Sequence, residues 1–166
     1  VNVAGGATGP RHKRGPLLEI TEQDFVNTFE VNVKSVYLCC REVVPIMQDQ
    51  GYGVIVNTAS EAGRENAKPA MGMAAYAASK AAIITLTRSM AHEWGPDIRV
   101  NCICPGLIDT PRTSAGRTKE EELAHVNRLD LKRIGVPEDI GKLAVYLVSD
   151  ASSFATGSAF VVNGGG

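Results

Sequence analysis

A tyrosine and a lysine four residues apart are the first candidates for chemistry in this sequence. Tyr76 and Lys80 lie in AAYAASKAAI, residues 74 to 83, a stretch that otherwise holds only small or apolar residues. On a helix, residues four apart share a face, with about 5–6 Å between their Cβ atoms. Because a nearby cation can lower the pKa of a phenol, such a pair could transfer a proton. Alone, the spacing also fits an ordinary amphipathic helix with a half-buried tyrosine and a surface lysine.

Three further polar features could belong to the same site. Ser60 follows the buried strand pattern VIVNTA, at the carboxyl end where open α/β sheets place ligands, although taken alone it fits a turn residue better. Asn32 interrupts the apolar stripe of a predicted helix, where a side chain bonded to backbone or solvent is the alternative. PGLIDTP, residues 105 to 111, follows another strand pattern directly and otherwise fits a proline-bounded surface loop.

Hydrophobic patterning predicts the elements that position these residues. Long helices are predicted at about 25–47 and 75–94, and 107–118 is predicted as a mobile loop. Strands that alternate with helices are typical of a parallel sheet with crossover helices, so the sequence predicts an α/β fold in a single domain over residues 1–166. The predicted strands are 1–3, 54–60, 98–104 and 158–162, and the shorter helices are 120–127 and 137–149.

Composition bears on the kinds of partner. The chain has 166 residues and a net charge of -1, so we expect no nucleic-acid partner. No apolar run approaches the roughly 20 residues of a membrane span, and we expect no membrane partner and a cytoplasmic location. The cysteines lack the CxxC spacing of zinc sites, so we expect buried thiols and no metal. They are Cys39, Cys40, Cys102 and Cys104.

Taken in their order along the chain, these features resemble one family. Helical Asn32, Ser60 after a buried strand, Tyr76 with Lys80, and PG-x-I-x-T at 105–110 are similar to the pattern of the short-chain dehydrogenase/reductases. The opening NVAGG resembles that family's Asn-Asn-Ala-Gly segment, with a valine in place of the second asparagine. The ending FVVNGGG resembles its terminal strand and Gly-Gly turn. The resemblance runs the full length of the chain and implies a Rossmann-like doubly wound parallel sheet.

The resemblance implies an NAD(P)-dependent oxidoreductase that interconverts a small-molecule secondary alcohol and a ketone, with NAD or NADP as the cofactor. Tyr76 would be the general acid/base, and Lys80 would lower its pKa and hold the nicotinamide ribose. Ser60 would orient the reacting oxygen, and Asn32 would support a water that links Lys80 to solvent. The implied cofactor-binding residues, besides Tyr76 and Lys80, are Asn2, Ala4, Gly5, Pro105, Gly106, Ile108 and Thr110.

Two features depart from the family pattern. Ser60 and Tyr76 lie sixteen residues apart, more than is usual in the family, so we expect an extra bulge beside the site. Met71 and Met73 in that loop could form an adaptable apolar wall for the substrate. The family's TGxxxGxG turn does not occur, and we therefore expect a C-terminal portion that lacks the front strands of the sheet.

Other functions stay open. A non-catalytic, truncated subunit would keep the two long helices, through which we expect a homo-oligomer, a tetramer or a dimer, but would not bind cofactor. Sugar alcohols, steroids, small ketones and carrier-bound 3-oxoacyl groups all fit the leading reaction. A 3-oxoacyl-carrier-protein reductase would attract an acidic carrier through a basic cluster, which otherwise is a solvated surface. That cluster is Arg112, Arg117, Lys119, Arg128, Lys132 and Arg133.

Overall fold

A parallel sheet forms the centre of the computed structural model, which describes residues 1–67 and 70–166. Its strands are β1 (Gly53–Thr58), β2 (Ile98–Pro105) and β3 (Ala159–Val162), in the order β1-β2-β3. Gly53 pairs with Ile98 at the start of β1, and Cys102 pairs with Ala159 at the start of β3. Parallel strands need crossover connections, which the helices supply.

Six α-helices occur in the described part of the chain. They are α1 (Glu22–Phe29), α2 (Ser35–Asp49), α3 (Ala74–Trp94), α4 (Pro111–Ser114), α5 (Lys119–Arg128) and α6 (Pro137–Val148). A π-helical turn, Glu30–Lys34, joins α1 to α2, so the predicted long helix has the expected extent but is divided in the middle. Short 3₁₀ turns occupy Glu61–Gly63 and Asp150–Ser152. The predicted mobile loop at 107–118 is wrong where α4 forms, because Thr110 caps that helix with its side chain.

The predicted strand at 1–3 is reduced to a single pairing beside β1. Asn2 N donates to the Val56 carbonyl over 2.8 Å, and Thr58 N donates to the Asn2 carbonyl over 3.0 Å. These two bonds place the segment on the edge of β1 that β2 leaves open. The segment that follows, including Gly5, therefore emerges at the carboxyl end of β1, beside Ser60.

Apolar residues pack on both faces of the sheet. On one face Ile55 and Val100 pack with Ile83 of α3 and with α2, and on the other Ile103 packs with Leu147 of α6. Successive strand residues point to opposite faces, which explains the nearly continuous apolar runs in β1 and β2. A sheet covered by helices on both faces confirms the predicted doubly wound α/β fold.

The thiols follow the prediction with one exception. Cys40, Cys102 and Cys104 are buried, but Cys39 is exposed on α2, so the expectation of buried cysteines is wrong there. Across residues 1–67 and 70–166, no three His, Cys, Asp or Glu side chains are arranged to hold a metal ion. The helices described for those residues also lack the combination of length and apolar character that a membrane crossing requires.

Candidate active site

Lys80 lies on α3 beneath the ring of Tyr76, with 3% of its surface exposed. Its Nζ lies 5.7 Å from the centroid of that ring and donates to the Thr58 carbonyl at the end of β1 over 2.8 Å. The spacing of four residues therefore brings the two side chains together, as predicted. An ammonium has three donors, and only this one bond is found within the described residues, so two donors can serve a ligand.

The small residues around this pair allow close packing. The 3₁₀ turn Glu61–Gly63 lies directly against α3, and a Cβ added at Gly63 would come within 2.5 Å of backbone atoms of Lys80 and Ala81. The hydroxyl of Ser79 is fully buried and donates to the Tyr76 carbonyl over 2.7 Å. Because neither Ser79 nor the alanines project far, the turn that follows Ser60 can be held close to the helix that carries Tyr76.

Ser60 joins the two elements. It follows β1, and its hydroxyl accepts a hydrogen bond from Ala62 N over 3.2 Å, which caps the 3₁₀ turn. Ser60 also acts on the phenol of Tyr76, because it opposes the rise that burial causes in the pKa of that group. The structure thus brings Ser60 to the phenol across the fifteen residues between them. Residues 68 and 69 of the predicted bulge lie outside the described residues. Met71 is 90% exposed, and the apolar wall for the substrate stays a prediction.

Burial controls the protonation of the pair. It raises the pKa of the Tyr76 phenol, as does the Glu61 charge, while Ser60 and the Arg112 charge oppose that effect. The net shift is upward because desolvation outweighs the opposing effects, and the predicted lowering of this pKa by Lys80 stays a prediction. Burial and, to a lesser extent, the charge of Arg112 together lower the pKa of Lys80 from 10.5 to about 8, and Cys104 opposes the change.

Asn32 lies in the π-helical turn and is fully buried. Its Oδ1 accepts from Gly6 N over 2.9 Å, while its Nδ2 donates to the Gly6 and Thr28 carbonyls over 3.0 and 2.9 Å. Gly5 has a φ of 136°, and a Cβ at that position would overlap the Asn32 amide. Asn32 therefore fixes the Gly5–Gly6 backbone near the Lys80 ammonium, while its link to a water stays a prediction. π-Helical turns are frequent at functional sites.

The remaining residues predicted to bind the cofactor lie in two places, the segment beside β1 and the end of β2. Asn2 turns its amide toward the interior, where it donates to Asn57 Oδ1 over 2.9 Å, while Ala4 is exposed beside Gly5. Gly106 follows β2, bonds the Val162 carbonyl through its N–H, and leaves no room for a Cβ between Asn163 and Glu61. Pro105 therefore ends beside the turn that carries Ser60.

Thr113 occupies the hydrogen-bonding positions of the PG-x-I-x-T segment. Its hydroxyl donates to the Ile108 carbonyl over 2.5 Å and lies 2.9 Å from the Thr110 hydroxyl. Thr110 in turn caps α4. The two residues expected to bind a carboxamide thus carry polar atoms that Thr113 already contacts, and their role in cofactor binding stays a prediction.

Sequence reasoning missed Arg112 as a member of the site, because it had been assigned to the basic surface cluster. Its Nη1 donates to the Gly5 carbonyl over 3.1 Å, and its charge affects both Tyr76 and Lys80. The sequence feature that could have indicated Arg112 is its position two residues after Thr110, a predicted cofactor-binding residue. Other members of the cluster face carboxylates: Arg117 pairs with Asp109 and Glu122 at 3.0 and 3.3 Å, and Arg133 pairs with Asp139 at 2.7 Å.

Known proteins resemble this chain over its whole length. Residues 1–166 match the family described as Enoyl-(Acyl carrier protein) reductase. The 4-formylbenzenesulfonate dehydrogenase TsaC1/TsaC2 of Comamonas testosteroni is 35% identical over 162 residues, 95% of this chain and 63% of that protein. The 3-oxoacyl-[acyl-carrier-protein] reductase FabG of Thermotoga maritima is 39% identical over 150 residues, 90% of this chain and 59% of that protein. The chain thus spans about three-fifths of the length of these curated relatives.

The same similarity holds in three dimensions. A 7 alpha-hydroxysteroid dehydrogenase complexed with NADH and 7-oxo glycochenodeoxycholic acid superposes with a TM-score of 0.90 at 36% identity. The match covers 99% of this chain and 62% of that one. It confirms the predicted Rossmann-like arrangement of a parallel sheet with crossover helices.

Proposed function

Because the chain belongs to the short-chain dehydrogenase/reductase family, we propose that it carries the reaction centre of an NAD(P)-dependent oxidoreductase that interconverts a secondary alcohol and a ketone. The observation that supports this proposal best is the convergence of Ser60, Tyr76 and a buried Lys80 at the carboxyl end of β1. Burying a lysine lowers its pKa and costs stability, so a purely structural helix gains nothing from it.

Each side chain has a role that follows from its surroundings. In reduction, the Tyr76 hydroxyl donates its proton to the substrate carbonyl oxygen, and in oxidation the phenolate accepts the proton of the alcohol. Ser60, which lies close enough to that phenol to affect its pKa, orients the same oxygen. Lys80 stabilises the phenolate through its charge, because it lies below the ring in a site with little solvent screening. Asn32 holds the Gly5–Gly6 backbone that closes the site on the other side.

The residues present fit the nicotinamide end of NAD or NADP. Two donors of Lys80 can bind ribose hydroxyls, and the missing side chains of Gly5 and Gly106 leave the backbone open to a close approach. The Ile108 backbone and Thr110 would bind the carboxamide, at the atoms that Thr113 now contacts. When bound, the nicotinamide supplies or accepts the hydride.

The proposal is tested by comparing the wild-type chain with Tyr76→Phe. We expect NADH or NADPH to bind both proteins with similar Kd, and kcat on a panel of secondary alcohols and ketones to fall by about 10²–10⁴ in the variant, since it has lost the hydroxyl that exchanges the proton but keeps the ring. Tyr52→Phe is the matched control, because Tyr52 is an exposed phenol at the opposite, amino-terminal end of β1. Turnover that survives Tyr76→Phe would refute the assignment.

The alternative of a non-catalytic subunit has a distinct outcome in the same experiment. A folded chain that binds neither NADH nor NADPH would support it and reject intrinsic activity. The homo-oligomer stays a prediction, supported by exposed apolar side chains on α2 such as Tyr37, Val43 and Ile46. Light scattering tests it directly, and a monomer at micromolar concentration would contradict it.

The acyl-carrier alternative concerns the substrate. FabG of Thermotoga maritima is named for that reaction. Its similarity to this chain says nothing about whether this chain binds an acyl carrier. Carboxylates neutralise Arg117 and Arg133 of the basic cluster, which weakens the case for an acidic carrier here. If an acidic carrier protein is a substrate, its binding must weaken as salt rises, and binding that ignores salt would remove this alternative.

A further inference from the structure

Arg112, the second residue of α4, reaches across the site to the Gly5–Gly6 backbone. Its Nη1 donates to the Gly5 carbonyl over 3.1 Å, and a Cβ added at Gly6 would lie 2.7 Å from the same atom. The guanidinium therefore rests on a backbone that has no side chains to shield it. A guanidinium has five N–H donors in a planar fork, and the contact with Gly5 uses one of them.

This side chain adds positive charge to a site that already holds a buried ammonium. The charge of Arg112 contributes to the lowered pKa of Lys80 and opposes the rise in the pKa of Tyr76, so it lies within electrostatic reach of both. Two cations that face one cleft repel each other, and an anion bound between them removes that repulsion. The Glu61 carboxylate also acts on Tyr76, but two cations outweigh it, so the cleft is electrostatically suited to a ligand with a negative charge.

The nearby arginines show the contrast. Arg117 and Arg133 each pair with a carboxylate, Asp109 at 3.0 Å and Asp139 at 2.7 Å. Arg112 makes no ion pair with any carboxylate of residues 1–67 and 70–166, although it is the member of the cluster that lies nearest the reacting groups. A fork of N–H donors beside a lysine and without a carboxylate is the arrangement that binds phosphate or carboxylate oxygens.

We propose that Arg112 binds an anionic oxygen group of a reactant in this cleft. The proposal rests on the proposed function, because that function places both reactants beside Lys80. Two sources carry the required chemistry: the diphosphate of NAD(P), and a carboxylate on the substrate. Arg112 is in either case a binding residue, and the proton at Tyr76 moves without it.

The test compares the wild-type chain with Arg112→Met, which keeps much of the apolar stem, and Arg112→Lys, which keeps the charge. Calorimetry gives the Kd of inorganic diphosphate, of NADH, and of acetoacetate and methyl acetoacetate added to the NADH complex. We expect Arg112→Met to weaken binding of the relevant anion by about tenfold or more, and Arg112→Lys to recover part of the loss. Arg41→Met, on the exposed face of α2, is the control, and thermal unfolding verifies the fold.

The outcomes distinguish a cofactor diphosphate from a substrate carboxylate as the anion that Arg112 binds. Weaker diphosphate and NADH binding, with the two acetoacetate compounds unaffected, assigns the anion to the cofactor. Weaker binding of acetoacetate but not of its uncharged ester assigns it to a substrate carboxylate. Unchanged Kd values for diphosphate, NADH and acetoacetate overturn the inference, even where Tyr76-dependent turnover upholds the proposed function. Diphosphate binding that depends on Arg112 in a chain without turnover supports the anion site and rejects that function.

Discussion

The floor of the site and the lid beside it are held by different interactions. The floor comprises Asn32, Ser60 and Lys80 with the backbone that they contact, and the lid comprises residues 109–128. In the floor, Asn32 and Lys80 are almost completely buried and bond to main-chain atoms of the sheet and helices. In the lid, Arg117 pairs with Asp109 and Glu122, whose side chains are about half exposed.

This difference bears on how the two regions respond to change. Bonds from a buried side chain to fixed backbone have one geometry and little sensitivity to salt, which suits groups that must meet a reacting oxygen. Ion pairs with half-exposed carboxylates are screened and replaceable. In the described part of the lid, buried nitrogens of Arg117 and His125 also have no hydrogen-bond partner. The contacts of the floor therefore allow one arrangement, whereas those of the lid can be exchanged at little cost.

The largest loss of stability is expected for Asn32→Ala in the floor. The change removes three bonds and leaves the Gly6 N–H, the Gly6 carbonyl and the Thr28 carbonyl without this partner. Stranded buried polar groups cost about 1–3 kcal/mol each, and partial relaxation leaves a net loss of about 3 kcal/mol in the free energy of unfolding. Urea unfolding measures it, with exposed Asn127→Ala as the control. A loss below about 1 kcal/mol would show that the floor is not held in this way.

A pH-dependent effect is expected for Lys80→Met. Burial lowers the pKa of Lys80 from 10.5 to about 8, so between these pH values the unfolded chain binds more protons than the folded one. Wild-type stability therefore rises with pH across this window, whereas methionine cannot titrate. We expect the stability of Lys80→Met relative to wild type to fall by about 3 kcal/mol from pH 7 to pH 10.5. Exposed Lys119→Met is the control, and a flat difference for Lys80→Met would contradict its burial as an ammonium.

The sequence predicted the floor better than the lid, for physical reasons. The spacing of Tyr76 and Lys80 and the strand-end position of Ser60 are each local and ambiguous, but their order along the chain resembles one family, so the three residues could be predicted together. The π-helical turn at Asn32 was missed, since it differs from an α-helical turn in its backbone hydrogen bonds, which residue types do not reveal. The direction of the Tyr76 pKa shift depends on burial, which spacing does not give. The position of Arg112 depends on where the lid packs, and no local pattern encodes that.

A smaller loss in the free energy of unfolding is expected at Gly63, where the turn that follows Ser60 packs directly against the backbone of α3. A Cβ at Gly63 would lie 2.5 Å from Lys80 and Ala81 backbone atoms, which cannot move aside as a flexible side chain can. We expect Gly63→Ala to cost about 2 kcal/mol and to lower kcat, because the turn that holds Ser60 must shift from α3. Gly141→Ala is the matched control: it lies within α6 and its Cβ would meet nothing within 4 Å, so a small gain is expected. Equal effects from both variants would rule out tight packing at Gly63.

The smallest effect is expected in the lid, for Arg117→Met. The side chain is 11% exposed, but Asp109 and Glu122 are solvated enough to lose their partner cheaply. We expect a loss of no more than about 1 kcal/mol at low salt, which disappears near 1 M NaCl, where the screening length is about 3 Å. The loss for Asn32→Ala should be the same at both salt concentrations. If instead the Arg117→Met loss persists in high salt, packing rather than charge holds the lid, and the contrast between the two regions fails.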